Sequence, residues 1–332
     1  VDGSEVLEER KAALLRIAGV YEQRLEQKEL AFNVLGRAFQ EDPTDERIRQ
    51  TLERLAEETE EFELLAAVYH RRLDGLEDKA VALAIHKRLA QLAEERLQDR
   101  ERALESLKAV VALDAADVDS LMSLERIYRE MQDVDALSDV LRKRLKVTEE
   151  PEQASVLLWE VADLHEKQGD LGGAIQAYRE VVERQPEDLN ALLQLDRLCG
   201  QQGRRKEQAD VLIKLIGLLD AAGQIEESLD LRFRLGQIYE SEFEDTERAI
   251  QLYRDILQSN PTHVATSEHL ESMLGDGRSF EGAVDLLQAS CESTGDWKRY
   301  LEILESQVRQ SRVMARRMEL MQKMAEVQAK NM

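Results

Sequence analysis

Residues 176–198 read QAYREVVERQPEDLNALLQLDRL, and residues 251–273 read QLYRDILQSNPTHVATSEHLESM. The stretches are equally long, and five residues recur in step: Gln176/Gln251, Tyr178/Tyr253, Arg179/Arg254, Pro186/Pro261 and Leu195/Leu270. The register continues toward the N-terminus. Ala31, Ala103, Ala174 and Ala249 follow one another at nearly equal intervals. Each is followed four positions later by Leu35, Leu107, Tyr178 or Tyr253, and twelve later by Pro43, Ala115, Pro186 or Pro261. A marker of the Leu-Glu-Arg-Leu type keeps the same phase at 52–55, 124–127, 195–198 and 270–273. The chain is therefore a tandem array with a repeat of about 72 residues.

Within a repeat, apolar residues fall at helical spacing, as in Leu157, Leu158, Val161, Ala162, Leu164 and His165, which marks one face of an amphipathic helix. In the third repeat, breakers at Gly169-Asp170, Gln185-Pro186, Gly200 to Gly203 and Ala221 to Gly223 cut four such stretches. A residue before proline leaves the helical region, and Thr44 with Asp45 and Glu46 predicts an N-cap and first-turn negative charge for the next helix. Each repeat reads as two helical hairpins. The expected division is an N-terminal extension at 1–9 and an array over 10–330, with repeats at 10–76, 77–148, 149–221 and 222–293 and a partial one at 294–330. Composition agrees: with 16 Gly, 4 Pro and 5% aromatics in 332 residues, and no alternating β-branched run, the vocabulary is that of helices.

Leu235-Gly236-x-x-Tyr239, then Ala249, Tyr253 and Pro261, resembles the tetratricopeptide repeat signature, and Val161-Ala162-x-x-His165, Ala174, Tyr178 and Pro186 repeats it in weaker letters. The resemblance implies an all-α fold, a right-handed α-solenoid of stacked antiparallel hairpins with about 18 helices, in a degenerate form of the bacterial type. The second hairpins (44–74, 117–147, 188–220, 262–293) keep the leucine marker but lose the small residue and the tyrosine. Pairing Phe62 with Trp297, Leu65 with Tyr300, Leu83 with Met318 and Leu89 with Met324 makes 279–293 an additional helix. Start and end both fall inside a repeat, without a polar capping helix, so a slice of a longer protein is expected.

The net charge of −23 and pI near 4.8 argue against a nucleic-acid backbone or an anionic membrane surface as partner. From Trp297 onward, however, eight Lys and Arg outnumber four Glu, and self-association of this basic tail with the acidic body is one expectation. No run approaches a membrane span, and VDGSEVLEERK lacks a signal peptide's apolar core. Solitary Cys199 and Cys291 point to reduced thiols and a cytoplasmic setting. The sequence holds no GxxxxGK[ST] or GxSxG motif, and Gly275-x-Gly277 lacks the strand a nucleotide loop needs. His70, His86, His165, His263 and His269 lack metal-ligand spacing. No catalytic residue, metal or cofactor is expected.

The resemblance further implies that the first helix of each hairpin lines a concave surface. Its pattern gives Ala12, Leu15, Gly19 and Glu22, then Ala84, Lys87, Gln91 and Glu94, then Val156, Trp159, Asp163 and Glu166, and finally Asp230, Phe233, Gln237 and Glu240. The candidate groove residues are Leu15, Glu22, Lys87, Gln91, Glu94, Trp159, Asp163, Glu166, Phe233, Gln237 and Glu240. Glu22, Glu94, Glu166 and Glu240 form a column of carboxylates, with Trp159 and Phe233 beside it at one register. Such a groove suits a basic or amphipathic protein segment. The competing reading pairs the glutamates with cations of the next helix and buries the rings. Met314, Met318, Met321 and Met324 read as a packing stripe against a following repeat. The expected function is a non-enzymatic protein-interaction scaffold; the alternatives are an accessory segment of a larger enzyme or signalling protein, or a self-assembling scaffold.

Overall fold

The turn residues explain where each helix stops. At 42–45, 114–117, 185–188 and 260–263 the chain leaves a helix through an extended residue, Asp42, Asp114, Gln185 or Asn260, with φ between −129° and −138°. Its N–H still reaches back to the carbonyl of Ala38, Val110, Val181 or Ile256. Asp42, Asp114 and Asn260 each accept the N–H two residues on, an Asx turn. That is why Ala115 serves where the other repeats carry proline. The next helix is capped by Asp45, Asp117 or Asp188, and in the fourth repeat by His263, whose Nδ1 accepts from Thr266 N at 3.3 Å. Asp45, rather than Thr44, is the cap of its helix; the Thr44 hydroxyl donates instead to Asp42 at 2.6 Å.

A computed structural model of the chain describes residues 3–275 and 281–331; Gly277 of the Gly275-x-Gly277 pair lies outside them. Among the described residues there are 18 α-helices and no strand. The first repeat holds α1 (Gly3–Gln23), α2 (Lys28–Glu41), α3 (Glu46–Thr59) and α4 (Phe62–Leu73). The second holds α5 (Lys79–Leu92), prolonged by a π-helical turn at Ala93–Leu97, α6 (Arg100–Leu113), α7 (Val118–Met131) and α8 (Val134–Val147). The third holds α9 (Pro151–Lys167), α10 (Leu171–Arg184), α11 (Leu189–Gln201) and α12 (Arg205–Ala221). The fourth holds α13 (Ile225–Ser241), α14 (Thr246–Ser259), α15 (Val264–Gly275) and α16 (Glu281–Thr294), followed by α17 (Trp297–Gln310) and α18 (Met314–Asn331).

Two differences from the sequence expectation follow. Helix α1 begins at Gly3, inside the segment expected as an extension at 1–9. Helix α16 packs on α14 as α4 packs on α2, so it takes the fourth-helix place of its repeat and is not an additional helix inserted into it.

The chain divides into two compact bodies, Val1–Leu157 and Leu158–Met332. In the N-terminal body the register residues Ala31, Leu52, Leu55 and Ala103 are completely buried, and Leu35, Leu107 and Leu124 nearly so. In the C-terminal body Ala174, Ala249, Leu198, Tyr253 and Leu270 are completely buried. Alanine recurs because neighbouring helix axes approach to about 8–10 Å there, and a larger side chain would cost about 1–3 kcal/mol in overpacking. Each buried leucine of the marker contributes about 1.5–3 kcal/mol by leaving water.

Candidate functional site: the first-helix face

Spacings of three and four residues put Leu15, Gly19 and Glu22, and their counterparts in later repeats, on one face of α1, α5, α9 and α13. In each repeat that face meets the third helix, α3, α7, α11 or α15, through two rungs.

The lower rung is the carboxylate column. In the N-terminal body, Arg54 on α3 donates to Glu22 at 2.5 Å, and Arg126 on α7 donates to Glu94 in the π-helical turn. In the C-terminal body, Arg197 on α11 donates to Glu166 at 2.5 Å, and His269 on α15 sits 3.1 Å from Glu240. Tyr178 Oη adds a second donor to Glu166 at 3.1 Å. The three arginines are the third letter of the repeating marker; the fourth marker has Ser272 in that place, and the partner of the glutamate is His269, one turn back.

The upper rung joins the position seven residues earlier to the N-cap of the third helix. Lys87 donates to Asp117, and Trp159 Nε1 donates to Asp188 at 3.3 Å. Phe233 stacks beside His263, with centroids 6.2 Å apart. Leu15 instead packs half-buried into the core, and Lys11, one turn earlier, reaches Asp42 at 2.8 Å and Asp45 at 3.5 Å. Burial raises the carboxyl pKa of Asp117, but hydrogen bonds from Lys87 and Ser120 outweigh it and hold it below its ordinary value. Asp42 is lowered in the same way, with Lys11 and Thr44 outweighing burial.

Between the rungs lies a polar strip. Gln91, Asp163 and Gln237 are exposed; Gln91 donates to Glu95 and Asp163 accepts from Lys167 within its own helix. Both rings are half-buried, so neither is a free aromatic platform. Trp159 meets Tyr178 edge-on at 4.9 Å. Phe233 is bordered by Tyr253 at 5.9 Å and His269 at 5.6 Å. The face is therefore a ladder of helix-to-helix ties with exposed edges, and its acid is largely matched by cations of the same chain. The first-helix member of each rung was legible from sequence except in the upper rung of the first repeat, where Lys11 and not the candidate Leu15 makes the tie. The column's partners Arg54, Arg126 and Arg197 were not named there, although they trail Glu22, Glu94 and Glu166 at a nearly constant interval.

Elsewhere, Cys199 and Cys291 are both buried and unpaired, and burial pushes the Cys291 thiol up to about 11, which keeps it unreactive. Met314, Met318 and Met321 are exposed and Met324 half-buried. Among the described residues, no group of three or more His, Cys, Asp or Glu could hold a metal ion, and no helix is long and apolar enough to cross a membrane.

Residues 157–188 and 230–263, which contain Trp159 and Phe233, each match the tetratricopeptide repeat family. A stretch of 70 residues is 41% identical to Cellulose synthase 2 operon protein C of Komagataeibacter xylinus, covering 21% of this chain and 5% of that protein. The chain thus spans a small part of that relative's length. Among solved structures, MamA is similar at 18% identity and a TM-score of 0.33, over 53% of this chain and 98% of that one. YrrB, described as a TPR protein with an unusual peptide-binding site, is similar at 16% identity and a TM-score of 0.30, over 61% of this chain and 98% of that one. The helical hairpins and the two family matches make this chain a tetratricopeptide-like repeat protein.

Proposed function

We propose that the chain is a non-enzymatic scaffold that holds another protein on its first-helix face, and that the contact centres on the C-terminal body. The observation that supports this is the pairing there of two half-exposed rings, Trp159 and Phe233, at one register, with the exposed polar strip of Asp163 and Gln237 beside them. Aromatic edges give desolvated contact, and polar groups set register. A basic side chain of the partner would enter by exchanging with Arg197 on Glu166. Exposed ion pairs of this kind are worth only about 0–1 kcal/mol, so the exchange is permitted. Affinity capture from source-cell lysate tests the reading. A partner retained by wild type and lost by Trp159→Ala/Phe233→Ala, with helicity unchanged by circular dichroism, supports it; equal capture by both overturns it.

A second reading has the array positioning another domain of a larger protein. It is favoured by the short match to a much longer relative, of which the aligned stretch is 5%.

A further inference from the structure

In the first repeat α2 and α4 close against each other. Gly36 permits the approach: a Cβ there would lie 3.2 Å from a Val68 methyl. Gln40 Nε2 donates across the crossing to the Val68 carbonyl at 2.9 Å, and Phe39 and Tyr69 fill it, their ring centroids 5.2 Å apart. In the second repeat the positions of Gly36, Gln40, Phe39 and Tyr69 are taken by Lys108, Ala112, Val111 and Leu141. The glycine, the amide clamp and both rings are gone. Helices α6 and α8 no longer pack closely, and a cleft of about 590 Å³ opens between them over α7.

The floor of the cleft is apolar, with Val111, Tyr128 and Val140 contributing. Its rim is cationic: Lys108 stands on the α6 wall, Lys143 and Lys146 on the α8 wall, and Asp139 is the carboxylate among the lining residues. The Lys108 ammonium lies 5.7 Å from the Tyr128 ring centroid. Among the described residues, none of these lysines has a carboxylate partner, whereas the cations of the first-helix face, Arg54, Arg126 and Arg197, are all paired. In a chain of net charge −23, this is a basic, apolar-floored site.

We propose that the α6/α8 cleft is a second binding site, separate from the first-helix face, and that it takes a short acidic segment of another protein with one large apolar side chain inserted. The volume lies in the range of about 300–1,000 Å³ typical of ligand pockets. Lysines on both walls, two of them one turn apart on α8, spread positive charge along the cleft. A lone terminal carboxylate would leave most of them unused, while a segment with several carboxylates engages all three. The apolar anchor supplies affinity and the lysines supply register. The body's overall negative charge does not forbid this, because at about 0.15 M salt charges beyond about 8 Å are screened.

The test uses a fluorescein-labelled acidic peptide with a central Phe-Leu pair, titrated with the whole chain at about 0.15 M salt and followed by anisotropy. Saturable binding is expected, weakened roughly tenfold or more by Lys108→Gln/Lys143→Gln/Lys146→Gln and by the cleft-filling Val111→Phe. Trp159→Ala/Phe233→Ala should leave it unchanged, which separates this site from the first-helix face. Absence of binding overturns the proposal. So does equal binding of a peptide with Ser-Ser in place of Phe-Leu, which would be charge attraction alone, or equal binding by Val111→Phe. Binding of dodecanoate but not of the peptide would assign the cleft to a lipid-like anion instead. Concentration-dependent mass in sedimentation that the triple lysine variant abolishes would assign it to a second copy of the chain; either result overturns the peptide assignment.

Discussion

The α2/α4 and α6/α8 crossings share one register, one pair of flanking turns and one buried alanine, Ala31 or Ala103, yet the first is closed and the second open. Four side chains account for the contrast: Gly36, Phe39, Gln40 and Tyr69 against Lys108, Val111, Ala112 and Leu141. The fourth repeat closes its own crossing from the other partner. There Gly282 on α16 brings a would-be Cβ within 2.9 Å of an Ile250 methyl on α14. The alanines and marker leucines thus build the hairpins, while a small residue on either second helix decides whether those helices meet.

The comparison breaks most decisively at Gly36. Gly36→Lys places the second repeat's residue into a buried crossing, adding overpacking to the burial of an ammonium. We expect a loss of about 3 kcal/mol, read from the midpoint of urea unfolding. A loss under about 1 kcal/mol would mean that the crossing yields freely and that Lys108 does not hold the cleft open. The next test exchanges the fillers. Phe39→Val should cost about 2 kcal/mol by leaving a cavity beside Tyr69, whereas Val111→Phe enters existing space and should be neutral or stabilising by up to about 1 kcal/mol. Equal destabilisation by both would remove the distinction between a filled and an unfilled crossing.

Much of this architecture was legible in the sequence because it rests on strict register. Ala31, Ala103, Ala174 and Ala249 must be small, and Pro43, Pro186 and Pro261 must end helices, so a plain alignment of the chain with itself finds them. Thr44 misled because Thr and Asp are both good caps; geometry chose Asp45, since Asp42 captured the threonine hydroxyl. The glutamate column was visible, but its exposure was not, because Arg54, Arg126 and Arg197 sit in a different helix and pair only once α1, α5 and α9 lie beside α3, α7 and α11. The cleft was illegible for the opposite reason: it depends on departures from the repeat, such as lysine for glycine, that look like ordinary surface variation.

The rungs sharpen the comparison at smaller scale, because they are common to closed and open repeats. A double-mutant cycle with Glu94→Gln and Arg126→Gln should give a coupling of about 0.5 kcal/mol, and the Glu22/Arg54 cycle a similar value. A markedly larger coupling in the second repeat would mean that the ion pair compensates there for the open crossing.

The smallest expected effect concerns the upper rung in acid. Burial raises the Asp117 carboxyl, and hydrogen bonds from Lys87 and Ser120 more than offset it, leaving the folded-state pKa below the unfolded one. A depressed folded pKa stabilises at pH above the unfolded value and loses that contribution as pH falls through the folded value. Asp42, held low by Lys11 and Thr44 against the effect of burial, acts with the same sign in the first repeat. Stability should therefore fall as pH drops below about 4, the ordinary carboxylate range. Asp117→Asn should be less stable than wild type at neutral pH, and the gap should narrow in acid, where the wild-type carboxylate also becomes neutral. Thermal unfolding across that range measures it. A gap that stays constant with pH would show that Asp117 acts through the shape of the cap and not through its charge, and the rung between α5 and α7 would then be a geometric tie like the one Trp159 makes to Asp188.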